Sequence, residues 1–136
     1  MRLILAGDLI DQLDREAREA FPEECCGLIA GLAREGDIVA LSLHPARNRA
    51  GRPDRFEIDP AEQFRLLRAL RGTERRAIGC YHSHPNGRPG PSVQDRAGAG
   101  EAGFVWLIAA IAGPDATADL GAFLWQDGEF RRLDMG

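Results

Sequence analysis

Lysine is missing altogether, and all 17 basic side chains are arginine. This excludes Schiff-base catalysis, a phosphate-gripping loop lysine and a lysine general base. A surplus of positive charge is missing as well: 21 acids outnumber the arginines and leave a net charge of −4, the wrong sign for a general nucleic-acid binder. Long hydrophobic runs are absent. The longest apolar stretch, near 104–112, falls far below membrane-spanning length, and the apolar start at 1–6 is interrupted too soon by Asp8 and Asp11 to read as a signal peptide. A cytoplasmic protein with no membrane contact is expected. Cysteine is scarce: of three, Cys25 and Cys26 are neighbours and Cys80 is remote, which is no disulfide framework, so reduced thiols are expected.

What the chain does have is an ordinary globular make-up, 44% hydrophobic and 28% charged over 136 positions, which fits one domain spanning 1–136. A chain of this length removes about two-thirds of its unfolded surface from water on folding, so no metal is needed merely to hold it together. Any metal site is therefore suspected of chemistry. Residues 3–5 read as a short strand, and from Asp8 the spacing of Leu9, Ile10, Leu13, Ala17, Ala20 and Phe21 is helical up to Pro22. Residues 24–30 and 38–43 read as a hairpin about Glu35-Gly36-Asp37, followed at 44–54 by an aperiodic loop carrying His44, Arg47, Arg49 and Arg52. Asp59-Pro60-Ala61-Glu62 opens a helix to about Leu70, with Asp59 as N-cap and Glu62 placed to complete a capping box. A strand at 77–84, a rigid Pro/Gly loop at 85–91, a short helix at 92–99, a buried strand at 104–112 and a hairpin turning at Asp127-Gly128 complete the chain. Strands outnumber helices and the two interleave, which predicts an α/β fold: a curved mixed sheet flanked by helices.

The residues that carry chemistry begin at His82-Ser83-His84. Alternation along a strand puts both imidazoles on one face with Cα atoms about 6.6 Å apart, a separation that suits two ligands on one ion. Zinc needs a third protein ligand and, in a catalytic site, an open fourth position. Asp95 is the candidate, because the rigid loop after His84 can turn the next helix back toward the histidines, and Ser92, three residues earlier, lies on the same side of that helix. An isolated His-x-His can be a pair with no ligand, and Ser-x-x-Asp is an ordinary capping box. Both together, joined by a rigid connector, favour the catalytic reading. A zinc-activated water also needs a base nearby that does not ligate the metal, and Glu23 and Glu24, where the first helix meets an apolar strand, are both candidates.

Glu24, His82-Ser83-His84-Pro85, seven residues, Ser92 and then Asp95 spell a pattern that resembles the JAMM/MPN+ (JAB domain) zinc metalloprotease family, especially its small stand-alone prokaryotic members. The resemblance covers nearly the whole chain. Pro22-Glu23-Glu24-Cys25-Cys26-Gly27-Leu28 is similar to the family's P-x-E-x-C-G stretch, and Gly79-Cys80-Tyr81 leads into the histidines as its strand does. Aligning Pro-x-Glu selects Glu24 over Glu23. The resemblance implies a single MPN (cytidine-deaminase-like) domain in which His82, His84 and Asp95 ligate one zinc. Glu24 would activate the water and protonate the leaving amine, and Ser92 would hydrogen-bond the developing oxyanion.

The resemblance further implies a substrate: the amide bond after the C-terminal Gly-Gly of a ubiquitin-like or sulfur-carrier protein, cleaved either from a lysine side chain or to release an attached amino acid such as cysteine. The tail would bind as an added strand along a sheet edge. The 48–56 region resembles the loop and strand that flank this groove, with no role assigned to Asn48. Cys80, on the same strand face as the histidines, is expected in the core. A non-catalytic MPN scaffold or zinc-binding interaction module is the alternative, and the complete motif argues against it.

Overall fold

The computed structural model describes residues 1–50 and 56–136. In chain order the elements are β1 (Arg2–Leu5), α1 (Gly7–Ala20), β2 (Cys26–Arg34), β3 (Asp37–Ala46), α2 (Pro60–Leu70), β4 (Arg76–His84), α3 (Val93–Gly98), β5 (Val105–Ala110), β6 (Asp119–Gln126) and β7 (Glu129–Met135). No helix among the described residues is long and apolar enough to cross a membrane.

The sheet is mixed, as expected, but it closes on itself. The strand order β1-β3-β2-β4-β5-β6-β7 returns to β1, with parallel pairs at β1–β3, β4–β5 and β7–β1 and antiparallel pairs elsewhere. A closed barrel therefore replaces the expected curved sheet flanked by helices. Closure rests on Arg2↔Asp134 and Leu3↔Met135, reinforced by Gly136 N donating to the Leu3 carbonyl at 3.1 Å. Neither strand's local pattern encodes this contact, because it joins segments at opposite ends of the sequence.

Side-chain alternation gives the barrel two apolar faces. Leu3, Ile29, Leu43, Tyr81, Leu107, Ala122 and Leu133, drawn from every strand, form one buried cluster, and Leu9, Leu13 and Ala17 of α1 belong to it. So α1 packs into the interior. The opposite face gathers Leu28, Ala30, Cys80, Trp106, Ile108 and Phe123 beneath Leu66 of α2. Cys80 is thus a core residue.

Both hairpins turn as their residues dictate. Glu35 and Gly36, and likewise Asp127 and Gly128, take positive φ at both turn positions, the twist that two-residue hairpins favour. Residues 44–46, expected in a loop, instead continue β3, pairing His44, Pro45 and Ala46 with Leu28, Gly27 and Cys26. Proline is tolerated there because β1 pairs only with residues 38–40, leaving that part of β3 on an edge. His44 is thereby a strand residue, its Nε2 2.8 Å from Ser42 Oγ. At α2 the cap is simpler than a capping box: Asp59 Oδ1 accepts from Ala61 N at 3.0 Å, while Glu62 pairs with Arg65 at 2.6 Å.

Gly27 is required by its neighbours. A Cβ there would run into the Tyr81 ring and the His44 carbonyl. Tyr81 cannot retreat, being fully buried with its hydroxyl donating to Glu16 Oε1 at 2.7 Å. Gly27→Ala is expected to lower the unfolding free energy by about 1–3 kcal/mol, the usual cost of overpacking. Denaturant titration reads it as a lower midpoint at unchanged slope.

Candidate metal centre

β4 alternates between holding the fold and facing the site. Tyr81 points inward, and Ser83, also fully buried, stitches β4 to the segment before β2: its Oγ accepts from Cys25 N at 2.8 Å and its N donates to the Cys25 carbonyl at 3.1 Å. Cys80, His82 and His84 point outward. Because β2 and β4 are antiparallel with Cys26 opposite His82, continuing the register two residues brings Glu24 level with His84. Glu24, His82 and His84 then each offer a ligand atom within 4.8 Å of the others. Glu24 is 4% exposed whereas Glu23 is exposed, so the fold separates two acids that position alone left equivalent.

Asp95 arrives from α3. One carboxylate oxygen lies 3.1 Å from His82 Nε2, the other 3.0 Å from His84 Nε2, and the two nitrogens are 2.9 Å apart. The same carboxylate completes a capping box, accepting from Ser92 N at 2.9 Å while Asp95 N donates to Ser92 Oγ at 3.0 Å. Ser92 uses its oxygen as acceptor there, which leaves its O–H available as a donor. The connector lies flat against the barrel because Gly121 has no side chain: a Cβ there would collide with the Pro89 carbonyl.

The electrostatics favour a cation. His84 Nδ1 lies 2.8 Å from the Arg88 carbonyl, which can only accept, so the proton sits on Nδ1 and the Nε2 lone pair faces His82 and Asp95. Burial pulls both imidazoles toward the neutral form. At His82 it wins and the pKa falls; at His84 the bonds to Asp95 and the Arg88 carbonyl outweigh it and the pKa rises. Burial also pushes the Asp95 carboxyl up, but its bonds to the two histidines prevail and hold it well below the usual carboxylate range. A tetrahedral zinc with ligands at 2.0–2.1 Å needs donor atoms about 3.3 Å apart. The present spacings of 2.9–3.1 Å accommodate it with an opening of a few tenths of an ångström. Burial pushes the Cys26 thiol up to about 12 and Cys80 higher still.

Two clefts flank this cluster. One, of about 340 Å³, is lined by Leu28, Phe56, Ile58, Asp95, Phe104 and Trp106. The other, of about 360 Å³, is lined by Phe21, Pro22, Glu24, His84, Asn86 and Ser92. The profile of prokaryotic homologs of the JAB domain matches residues 7–125. The chain belongs to this family. This JAB-domain protein is 37% identical over 139 residues to desampylase of Haloferax volcanii, an alignment covering 98% of this chain and 95% of that protein. It is 30% identical over 93 residues to CysO-cysteine peptidase of Mycobacterium tuberculosis, covering 68% of this chain and 62% of that one. A solution structure of a protein from Desulfitobacterium hafniense shares the JAB-domain chain's fold at a TM-score of 0.85 and 27% identity, covering 98% and 91% of the two chains. As JAB-domain membership implies, the buried cluster is suited to hold a metal ion.

Two further residues at the site, at the ends of the 48–56 region expected to flank the groove, have no role assigned from the sequence. Asn48 Nδ2 donates to the Glu24 carbonyl at 2.9 Å, and its Oδ1 accepts from Ala50 N and Glu57 N at 2.9 and 3.1 Å. Phe56 stacks on His82 with ring centroids 4.3 Å apart. Asn48 also bridges Ile58 just before the α2 cap, a contact invisible without the fold. Of the arginine-rich loop, Arg52 lies outside the described residues, while Arg49 pairs with Asp59 at 3.4 Å with both side chains largely exposed.

Proposed function

We propose that this chain is a cytoplasmic, zinc-dependent peptidase or isopeptidase that hydrolyses the amide bond after the C-terminal Gly-Gly of a ubiquitin-like or sulfur-carrier protein. The observation that carries this reading is the convergence of four buried groups, Glu24, His82, His84 and Asp95, on the outer face of β4 between two clefts. The relatives named desampylase and CysO-cysteine peptidase support the substrate class.

His82, His84 and Asp95 would hold a zinc ion, which would supply Lewis-acid polarisation of the scissile carbonyl and make water a better nucleophile near neutral pH. Glu24 accepts a proton from the attacking water as the new C–O bond forms, and returns it to the amine nitrogen as the C–N bond breaks. Its burial suits that task, since a desolvated carboxylate holds a proton more tightly than an exposed one. Ser92 O–H donates to the carbonyl oxygen as negative charge develops there. Past residues 38–40, β3 is not covered by β1 and keeps an edge. The tail lies along residues 56–58 as an added strand, where glycines pass without a side-chain collision, and the leaving group takes the cleft beside Phe21, Pro22 and Asn86.

Zinc-loaded protein is expected to cleave a Gly-Gly carrier fusion, and failure to do so at any carrier tail overturns the reading. Comparing a carrier–lysine isopeptide with a carrier–cysteine adduct distinguishes deconjugation from amino-acid release. Ser92→Ala is expected to lower kcat by about 10²–10³-fold, and Ser92→Thr, which keeps both hydroxyl and cap, to restore most of it. Equal rates for Ser92→Ala and the parent would remove Ser92 from the mechanism.

A further inference from the structure

The two imidazoles at the centre are held in different ways. A metal-bound histidine is ordinarily oriented through its second ring nitrogen, which donates to a carbonyl or carboxylate. His84 follows that rule through the Arg88 carbonyl. His82 does not: its Nδ1 is buried with no hydrogen-bond partner among the described residues. Apart from Asp95 and His84, which face its Nε2, the groups stacked on or edge-on to the His82 ring are Phe56 and Trp106. Phe56 stacks on it at 4.3 Å and an interplanar angle of 22°, and Trp106 stands edge-on at 5.7 Å and 87°.

These aromatic neighbours are not equivalent. Trp106 belongs to β5, is 6% exposed and is braced by Phe130 at 5.4 Å, so it is a fixed wall. Phe56 comes from outside the barrel strands, is only partly buried and lines the cleft assigned above to the substrate tail. Its backbone is set through Asn48, which accepts from Glu57 N and donates to the Glu24 carbonyl.

We infer that Phe56 is a positioning residue for His82, its ring replacing the absent hydrogen bond and linking the tail-binding segment 56–58 to a metal ligand. The inference rests on the reading of His82 as a ligand. A flat stack fixes the plane of the imidazole, which a hydrogen bond would otherwise do, and Nε2 is thereby kept facing His84 and Asp95. With Asn48 tied to the Glu24 backbone and Phe56 resting on His82, a tail seated along 56–58 bears on both the base and the metal site.

The test is metal binding, followed with Co²⁺ by its visible ligand-field bands and with Zn²⁺ by chelator competition, on Phe56→Leu, Phe56→Tyr and His82→Ala. Phe56→Leu keeps apolar bulk and loses the flat ring. It is expected to bind both ions about 10–100-fold more weakly, the usual cost of losing a partner that orients a ligand, with altered Co²⁺ bands. Phe56→Tyr is expected to match the parent in both readouts. Parent-like affinity and bands in Phe56→Leu, or equal loss in Phe56→Tyr, overturn the positioning role. Parent-like affinity in His82→Ala overturns the ligand assignment itself and this inference with it, so the two failures are separable. Thermal unfolding of each variant without metal reports whether the fold is intact.

Discussion

Replacing Glu24 by glutamine is expected to leave the metal in place and to slow hydrolysis by about 10²–10⁴-fold, the range over which a positioned general base contributes. The substitution conserves shape and hydrogen-bonding capacity but removes the ability to carry a proton. Its meaning depends on geometry, because two carboxylates adjoin the histidines. Glu24 shares a 4.8 Å sphere with them, whereas Asp95 places an oxygen within 3.0–3.1 Å of each Nε2. On the proposed assignment Asp95 is the ligand, its oxygens lying close to both Nε2 atoms, and Glu24 is the base. If that assignment is reversed, Glu24→Gln loses metal and Asp95→Asn does not. Metal content and kcat measured on the same preparation therefore decide both questions: an unchanged kcat would remove Glu24 from the mechanism, whereas no hydrolysis by the zinc-loaded parent would favour a scaffold.

Asp95→Asn carries the other large effect. Asparagine can still accept from Ser92 N and cap α3, so the helix start survives, but the negative charge between two buried imidazoles is gone. Zinc affinity is expected to fall by more than the 10–100-fold that an outer partner costs, and activity at limiting zinc to fall with it. Isothermal titration compares the variants directly; parent-like affinity would exclude Asp95 from the coordination sphere. Acid acts on the same balance. Protons compete with the ion for the His84 imidazole, whose pKa in the metal-free site is raised by its bonds to Asp95 and the Arg88 carbonyl, so metal affinity is expected to fall as pH falls. The barrel keeps its own apolar interior, and the metal-free protein is expected to remain folded throughout.

Much of this site was legible because its information is local. Alternation alone places His82 and His84 on one face, and Ser92-x-x-Asp95 specifies a helix start whose capping acid is then aimed back at them. The glycines at 36 and 128 announce their hairpins through positive φ. What stayed hidden depends on distant pairing. Nothing in 2–5 or 129–135 signals that these segments meet, and so the barrel's closure was out of reach. Likewise the strand character of His44 comes from β2 across the ladder, and Phe56 and Asn48 gain their roles only once α2 and β4 are docked. Choosing Glu24 over Glu23 needed a motif; the antiparallel register of β2 and β4 supplies the physical reason.

The division of labour along β4 limits how this protein can diverge. Within 81–84 neighbouring side chains serve opposite sides, Tyr81 and Ser83 the interior, His82 and His84 the candidate metal site. Adding or deleting a single codon there would exchange the two sets, driving imidazoles into the hydrocarbon and turning a phenol and a hydroxyl outward. Lineages descended from this sequence can vary the length of their loops, but this stretch is open to change only by point substitution.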